Sequence, residues 1–300
     1  MYGKGWSRAV PYLCFLPGLL LYVVITLGPS LATTVFSFTD ISGTPNTPWH
    51  FIGLANYSEY LFGSNARDNL AAFQRTIIFC ISVTLIQNGV ALFLAVLLNQ
   101  KIKGSTFFRT LIFLPTVLGV TVIGLVWTII FNPINGPVEQ FLHLLNQNSP
   151  LLGSFNLAFP LVIFVQIWSS VGFAMVIYLA GVQTIPAELI EAARIDGGRP
   201  WQVFWLVTFP LLASFVTINV LLSIISSLQS YQLIYVLTGG GNGNVGGFNT
   251  SVLSLQIFSS AFSQGMRQGY ASALAVLQFL LVLIIALIAQ IYLRRREVQL

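Results

Sequence analysis

Charge is scarce in this chain. Its 300 residues include 13 Lys and Arg and 8 Asp and Glu, 7% of the total, where ordinary globular chains carry about 25%. That shortage excludes a water-soluble fold, because too few ionised groups exist to cover a solvated surface. Cysteine and histidine are rarer still, at 2 each. Cys14 and Cys80 fall in apolar stretches, imply no disulfide framework and read as packing residues. His50 and His143 stand apart in loops, with no cysteine or carboxylate noted at ligand spacing, so a metal site is not expected. The lysines sit in Gly-Lys-Gly, Gln-Lys-Ile and Ile-Lys-Gly, none behind a phosphate-cradling glycine loop, so the chain is not expected to hydrolyse ATP itself. The net charge of +5 does not signal nucleic-acid binding either, since no basic patch interleaved with aromatics exists.

What is abundant is apolar: 56% of residues are hydrophobic and mean hydropathy is +0.83. Uncharged runs of 31 residues (9–39), 25 (76–100) and 29 (110–138) each exceed the roughly 20 that cross a bilayer core. A 48-residue run (140–187) opens on an Asn- and Pro-rich segment, and a 67-residue run (200–266) is divided by a glycine-rich stretch at 239–247. The expectation is an all-α membrane protein with six transmembrane helices at about 10–38, 76–99, 110–131, 160–181, 203–229 and 268–293, residues 1–300 forming one transmembrane domain. Ten basic residues (Lys4, Arg8, Lys101, Lys103, Arg109, Arg194, Arg199 and Arg294 to Arg296) then fall on one side, against Arg67, Arg75 and Arg267 on the other. The basic side is cytoplasmic, which places both termini and the 186–200 loop there. The first apolar run is too long for a cleaved signal peptide and is expected to be retained. A short external helix is expected over 138–145.

The 186–200 loop carries its own punctuation. Pro186 suits a helix start, Glu188 and Glu191 suit the positive end, Arg194 lies three residues after Glu191, and Gly197 suits the left-handed closing position. A helix of about ten residues is marginal alone in water. Its apolar positions, Leu189, Ala192 and Ala193, are partly small, so either another protein or the lipid interface could cover it, and the residues leave both open.

Glu191-Ala192-Ala193, followed by Gly197 and by Val207-x-Phe209-Pro210, resembles the EAA loop of the inner-membrane subunits of binding-protein-dependent ABC importers. The usual Ile-x-Leu-Pro ending is here Val-x-Phe-Pro. Phe51-Ile52-Gly53-Leu54-x-Asn56-Tyr57, Gly104-x-x-Phe107-Phe108-Arg109-Thr110, Phe113-Leu114-Pro115, Leu237-Thr238-Gly239-Gly240 and Gly269-Tyr270-Ala271-Ser272-Ala273 are similar to the carbohydrate branch, near the maltose and glycerol-phosphate permease subunits. The resemblance implies the type I ABC importer transmembrane-domain fold. It also implies a bacterial or archaeal plasma membrane and a permease subunit of an ATP-driven importer. With a second homologous permease subunit, the chain would form the pathway for a sugar, a di- or oligosaccharide, delivered by an external solute-binding protein. Two separate ATPase subunits would hold ATP and magnesium, leaving this chain with no cofactor and no catalytic residue. Glu188, Glu191, Ala192, Ala193, Arg194, Asp196 and Gly197 would form the coupling helix docked on an ATPase, and the 239–247 stretch would lie beside the binding protein.

No Asp, Glu, Lys or Arg falls inside an expected span, whereas proton- and voltage-driven machines use ionisable groups there. The spans instead hold neutral hydrogen-bonding residues, including Gln87, Asn88, Gln166, Ser169, Ser170 and Asn219. Ser223, Ser226, Ser227 and Ser230 recur at spacings of three and four, which predicts one helical face. By similarity these four fall where the maltose subunit contacts its sugar, with Ser169, Ser170 and Phe173 matching a second contact segment. Helix packing explains any one of these serines equally well. A secondary transporter or channel would also account for six spans, but it would leave the Glu191 to Pro210 pattern without a role.

Overall fold

A computed structural model describes residues 6–100, 103–145, 151–240, 250–263 and 265–295, with side chains from Cys14 onward. Helix α1 (Trp6–Tyr22) passes through a π-helical turn, Val23–Leu27, into α2 (Gly28–Phe36). After α3 (Ala55–Phe62) come the long α4 (Ala66–Asn99), then α5 (Ser105–Val117), α6 (Val120–Ile130) and α7 (Pro137–Leu144). The next long helix is α8 (Ala158–Thr184), followed by α9 (Ala187–Ile195). Then α10 (Pro200–Val203) runs through a π-helical segment, Phe204–Thr208, to α11 (Phe209–Leu211) and α12 (Ala213–Leu228). Last are α13 (Tyr231–Thr238), α14 (Leu253–Phe258) and α15 (Gln268–Arg294). Among the described residues the only β pairing is an isolated antiparallel bridge between Thr39 and Phe51.

Among the described residues, four helical stretches are long and apolar enough to cross a membrane: Cys14–Phe36, Ala66–Asn99, Ala158–Thr184 and Gln268–Arg294. The expected continuous helices at 110–131 and 203–229 are corrected. Ser105–Val117 and Val120–Ile130 meet at 100°, and Pro200–Leu211 and Ala213–Leu228 at 72°, so the count reaches six only if each bent pair is one span. Proline explains the first break: Pro115 supplies no N–H and fixes its φ, and Leu118 and Gly119 continue as extended backbone (ψ 141° and 140°). In the second pair, Pro210 follows a π-helical turn, another common source of bends. Helix α4 begins ten residues before the expected 76. Charged residues mark where lipid ends rather than where a helix does, and Arg75 simply folds its Nε back onto Ala71 O at 3.1 Å.

The chain divides into two compact units, Met1–Arg67 with Gln256–Leu277, and Asp68–Leu255 with Gln278–Leu300. In the first, buried Asn56 donates to the carbonyls of Ser37 and Thr39, both at 2.9 Å, while Tyr57 donates to Ser37 Oγ at 2.7 Å. Arg267 holds Glu59 through two bonds of 2.7 and 2.6 Å and lies 4.6 Å over the Tyr270 ring. That guanidinium holds the Glu59 carboxyl below the ordinary carboxylate range. Asp40 is lowered too, chiefly by the main-chain N–H of His50.

In the second unit α5 packs along α8, and α13 packs against both α6 and α8. A core of Phe79, Val83, Ile123, Val162, Val165, Leu233 and Ile234 lies between them. A second cluster joins Ala91, Ala95, Val171, Ala174, Met175 and Tyr178. Gly172 allows the approach of α5: a Cβ there would stand 2.3 Å from Ile112 O. Cys80 is buried with Ile224 and Leu228, in keeping with packing. The expected 138–145 helix is α7. Both histidines have carboxylate partners, correcting the expectation: His143 meets Glu139 at 3.3 Å one turn away, and His50 meets Asp40 at 3.2 Å. Among the described residues no three potential ligands gather for a metal.

Candidate functional site

Three helices of the second unit are joined by buried side chains. Tyr178 of α8 donates to Asn88 Oδ1 of α4 at 2.7 Å, and Asn88 Nδ2 donates to Ser223 Oγ of α12 at 2.9 Å and to Thr84 O at 2.8 Å. Asn219 ties α12 to Ala174 O of α8 at 3.2 Å. Such a network is stable because its members are satisfied, and removing one leaves the others orphaned.

Beside this network lies a cavity of about 330 Å³. Gln87 enters from α4, Gln166, Ser169, Ser170 and Phe173 from α8, and Asn219, Ser223 and Ser226 from α12. The break between α5 and α6 supplies Pro115, Thr116, Leu118 and Val120. A second cavity of about 230 Å³ shares Val120, Ile123, Gln166, Ser169 and Ser226, and adds Gln229, Ser230 and Gln232. Its wall is fastened by Ser230, which donates to Gln166 Oε1 at 2.7 Å. Among the described residues, no Asp, Glu, Lys, Arg or His lines either cavity.

The expected pathway residues therefore separate. Ser169, Ser170, Phe173, Ser223 and Ser226 line the larger cavity, and Ser230 the smaller. Ser227 lines neither; it is buried, with its hydroxyl on Ile224 O at 3.0 Å. The single helical face is corrected, since α12 ends at Leu228 and Ser230 stands before α13 with a non-helical backbone (φ −81°, ψ 68°). Sequence reading missed Thr116 and the apolar residues of the α5–α6 break. The signal was present in Pro115 followed by Gly119, a proline and a glycine in one expected span.

Helix α9 follows the reading of its punctuation. Pro186 stands at its N-cap, Glu188 lies in its first turn and Arg194 in its last. Gly197 takes φ +84° with open space around it, so glycine is required there by backbone rather than by crowding. Gly197 N and Gly198 N donate to Arg194 O and Ala193 O at 3.1 and 3.0 Å, closing the carbonyls a helix end would leave bare. Glu188, Glu191, Ala192, Arg194, Asp196 and Gly197 are exposed, and Ala193 is half-buried. The Glu191 to Arg194 spacing is not used: the ion pairs among the described residues are His50 with Asp40, His143 with Glu139 and Arg267 with Glu59. A hollow of about 300 Å³ beside α9 is lined by Ala193, Asp196, Gly197, Gly198, Gln202, Val203, Leu206 and Val207. Gly239 and Gly240 end α13 with positive φ, and residues 241–249 of the glycine-rich stretch lie outside the described residues.

Broken helices around an uncharged cavity, with a capped helix in the connection between α8 and α10, are features of a membrane permease. The same fold occurs in a bacterial ABC transporter that imports the acidic polysaccharide alginate, with a TM-score of 0.83 over 98% of this chain and 99% of that one, at 19% identity. The chain belongs to the family of binding-protein-dependent transport system inner membrane components, which matches residues 87–298. It is 35% identical over 303 residues to the probable starch degradation products transport system permease protein AmyD of Thermoanaerobacterium thermosulfurigenes, covering 99% of this chain and 98% of that one. It is 34% identical to the sn-glycerol-3-phosphate transport system permease protein UgpA of Brucella abortus, covering 94% and 93%. To the multiple sugar-binding transport system permease protein MsmF of Streptococcus mutans it is 31% identical, covering 90% of each. It is thus an inner-membrane ABC permease, and the expected family is the family found.

Proposed function

We propose that this permease forms, with a second homologous subunit, the pathway through which an ATP-driven importer passes a sugar handed over by an external binding protein. The observation that carries the reading is the cavity. Its walls offer hydroxyls, carboxamides and the face of Phe173, 48% exposed, which match the hydroxyls and apolar faces of a sugar. Names of relatives that mention starch degradation products and multiple sugars support it. The two cavities suit a di- or oligosaccharide. The distribution of Lys and Arg supports cytoplasmic termini and a cytoplasmic α9. There α9 and its hollow would dock on one of two ATPase subunits, which bind ATP and magnesium.

Reconstitution tests this reading. The chain, co-expressed with its partner permease and an ATPase, is expected to copurify with both. In vesicles it should take up labelled sugar only with ATP and the binding protein present. Uptake independent of ATP would overturn the proposal in favour of a secondary transporter or channel.

A further inference from the structure

The hydroxyl protons around the larger cavity identify the kind of ligand it takes. Thr116, Ser169, Ser170, Ser223 and Ser226 line it, and each sits within hydrogen-bond distance of a main-chain carbonyl. Thr116 Oγ1 lies 3.2 Å from Ser169 O. The hydroxyls of Ser169 and Ser170 both reach Gln166 O, at 2.9 and 2.5 Å. Ser223 reaches Val220 O at 3.0 Å and Ser226 reaches Ser223 O at 3.2 Å. A carbonyl has no proton to give, so in all five contacts the hydroxyl donates, and what it can still offer is lone pairs. Ser170 also lies 3.0 Å from the Gln87 carboxamide oxygen. With its one proton on Gln166 O, this contact is better satisfied when Gln87 turns its NH2 to the serine, which leaves the carboxamide oxygen for the cavity.

The wall is therefore rich in acceptors, and none of the described residues that line it is a cation. Donors come from the Gln166 carboxamide NH2, whose oxygen accepts from Ser230, and from the first-turn N–H groups of α6 beside Val120, which no side chain caps and which lack intrahelical partners; all of these are neutral. We infer that the cavity selects neutral sugars over uronates and sugar phosphates; this rests on the sugar-pathway reading above and narrows it. A sugar hydroxyl donates to a serine oxygen and accepts from an N–H. An ionised carboxylate or phosphate oxygen can only accept, so it would meet lone pairs with no positive charge to offset its lost water. Similarity in fold to an alginate importer and in sequence to glycerol-phosphate permeases does not extend to this wall's preference.

Equilibrium dialysis at millimolar ligand, with the assembled permease and ATPase complex but without binding protein, reads the cavity's own preference. The probes are labelled maltose, digalacturonate and glycerol 3-phosphate. Maltose is expected to bind, with both anions about 100-fold weaker or worse. Ser226→Lys, by supplying a cation, should narrow that gap at least about tenfold. Anion binding equal to or tighter than maltose overturns neutral selection and leaves the sugar pathway standing. A gap that Ser226→Lys does not change removes the selection from this wall. Failure of an assembled complex to bind any of the three overturns the sugar pathway and this inference with it.

Discussion

Around the cavity, Ser169, Ser170 and Ser226 give their protons to carbonyls of their own helices, while Gln166 and Asn88 reach across to neighbouring ones. Along α9, Glu188, Glu191, Arg194 and Asp196 stand exposed, and the segment holds its shape through its own main-chain caps. The interior is polar without charge, and each polar group serves the fold as well as any ligand. The loop is charged and locally capped, and it touches the bundle through Ile190, which packs against Val182, Ile185 and Leu212. Damage inside should therefore remove the protein or its pathway, and damage outside should alter only what the protein touches.

The largest expected effect comes from Gly172→Val. Its Cβ would press on the main chain of α5, costing about 3 kcal/mol or more because neither backbone can retreat. The complex should fail to assemble, seen as loss of the chain from membranes; normal assembly would mean that α5 and α8 separate more freely than their packing implies. Next is Ser169→Leu with Ser226→Leu, which fills both cavities with side chains favourable at membrane depth. Uptake of labelled sugar should fall at least about tenfold in an assembled complex with basal ATP hydrolysis intact, and unimpaired uptake would assign these serines to packing. Gly197→Val tests the other region, since a β-branched residue at φ +84° costs about 1–2 kcal/mol. It should leave the bundle assembled yet weaken ATPase copurification and uncouple uptake from hydrolysis; retained coupling would remove α9 from its proposed role.

The smallest effect belongs to Glu59 and Arg267. The folded carboxyl's pKa is depressed, so the pair's contribution is complete above the unfolded value of about 4.3 and is lost as pH falls through the folded one. Both side chains are about half exposed, so solvent screening keeps the pair below about 1 kcal/mol. Thermal unfolding of Glu59→Gln should differ slightly from the native chain at neutral pH, and the difference should shrink steadily as the pH falls below about 4.3. A gap persisting in acid would assign Glu59 a role other than ion pairing.

The same contrast explains what was legible in the sequence. Pro186, Glu188, Arg194 and Gly197 specify α9 through contacts within a dozen residues, and its helix and left-handed close follow from them. Uncharged runs located the apolar segments for a similarly local reason. The spacing rule carries Ser230 onto α12, although it lies beyond that helix, because the end of α12 at Leu228 has no proline or glycine in its last turns. The partners of Gln166 and Asn88 lie 64 and 135 residues away, where no spacing rule reaches. The bend after Pro115 brings Thr116 to Ser169 O; Pro115 and Gly119 signal a break, but not which residue 53 positions away the turned chain will meet.

The 100° turn between α5 and α6 also bears on the order in which the molecule is made. At the extended Leu118 and Gly119 the main chain keeps capping bonds, Leu118 N to Pro115 O at 3.1 Å and Ile123 N to Gly119 O at 3.0 Å, in place of an unbroken helical ladder, and lipid can supply no others. Protection of the bend comes from α8, which receives the Thr116 bond, and from α13, whose Val236 O lies 3.4 Å from Thr128 Oγ1. Both are synthesised later. In chain order the bend at 118–119 is therefore made before either of the elements that cover it.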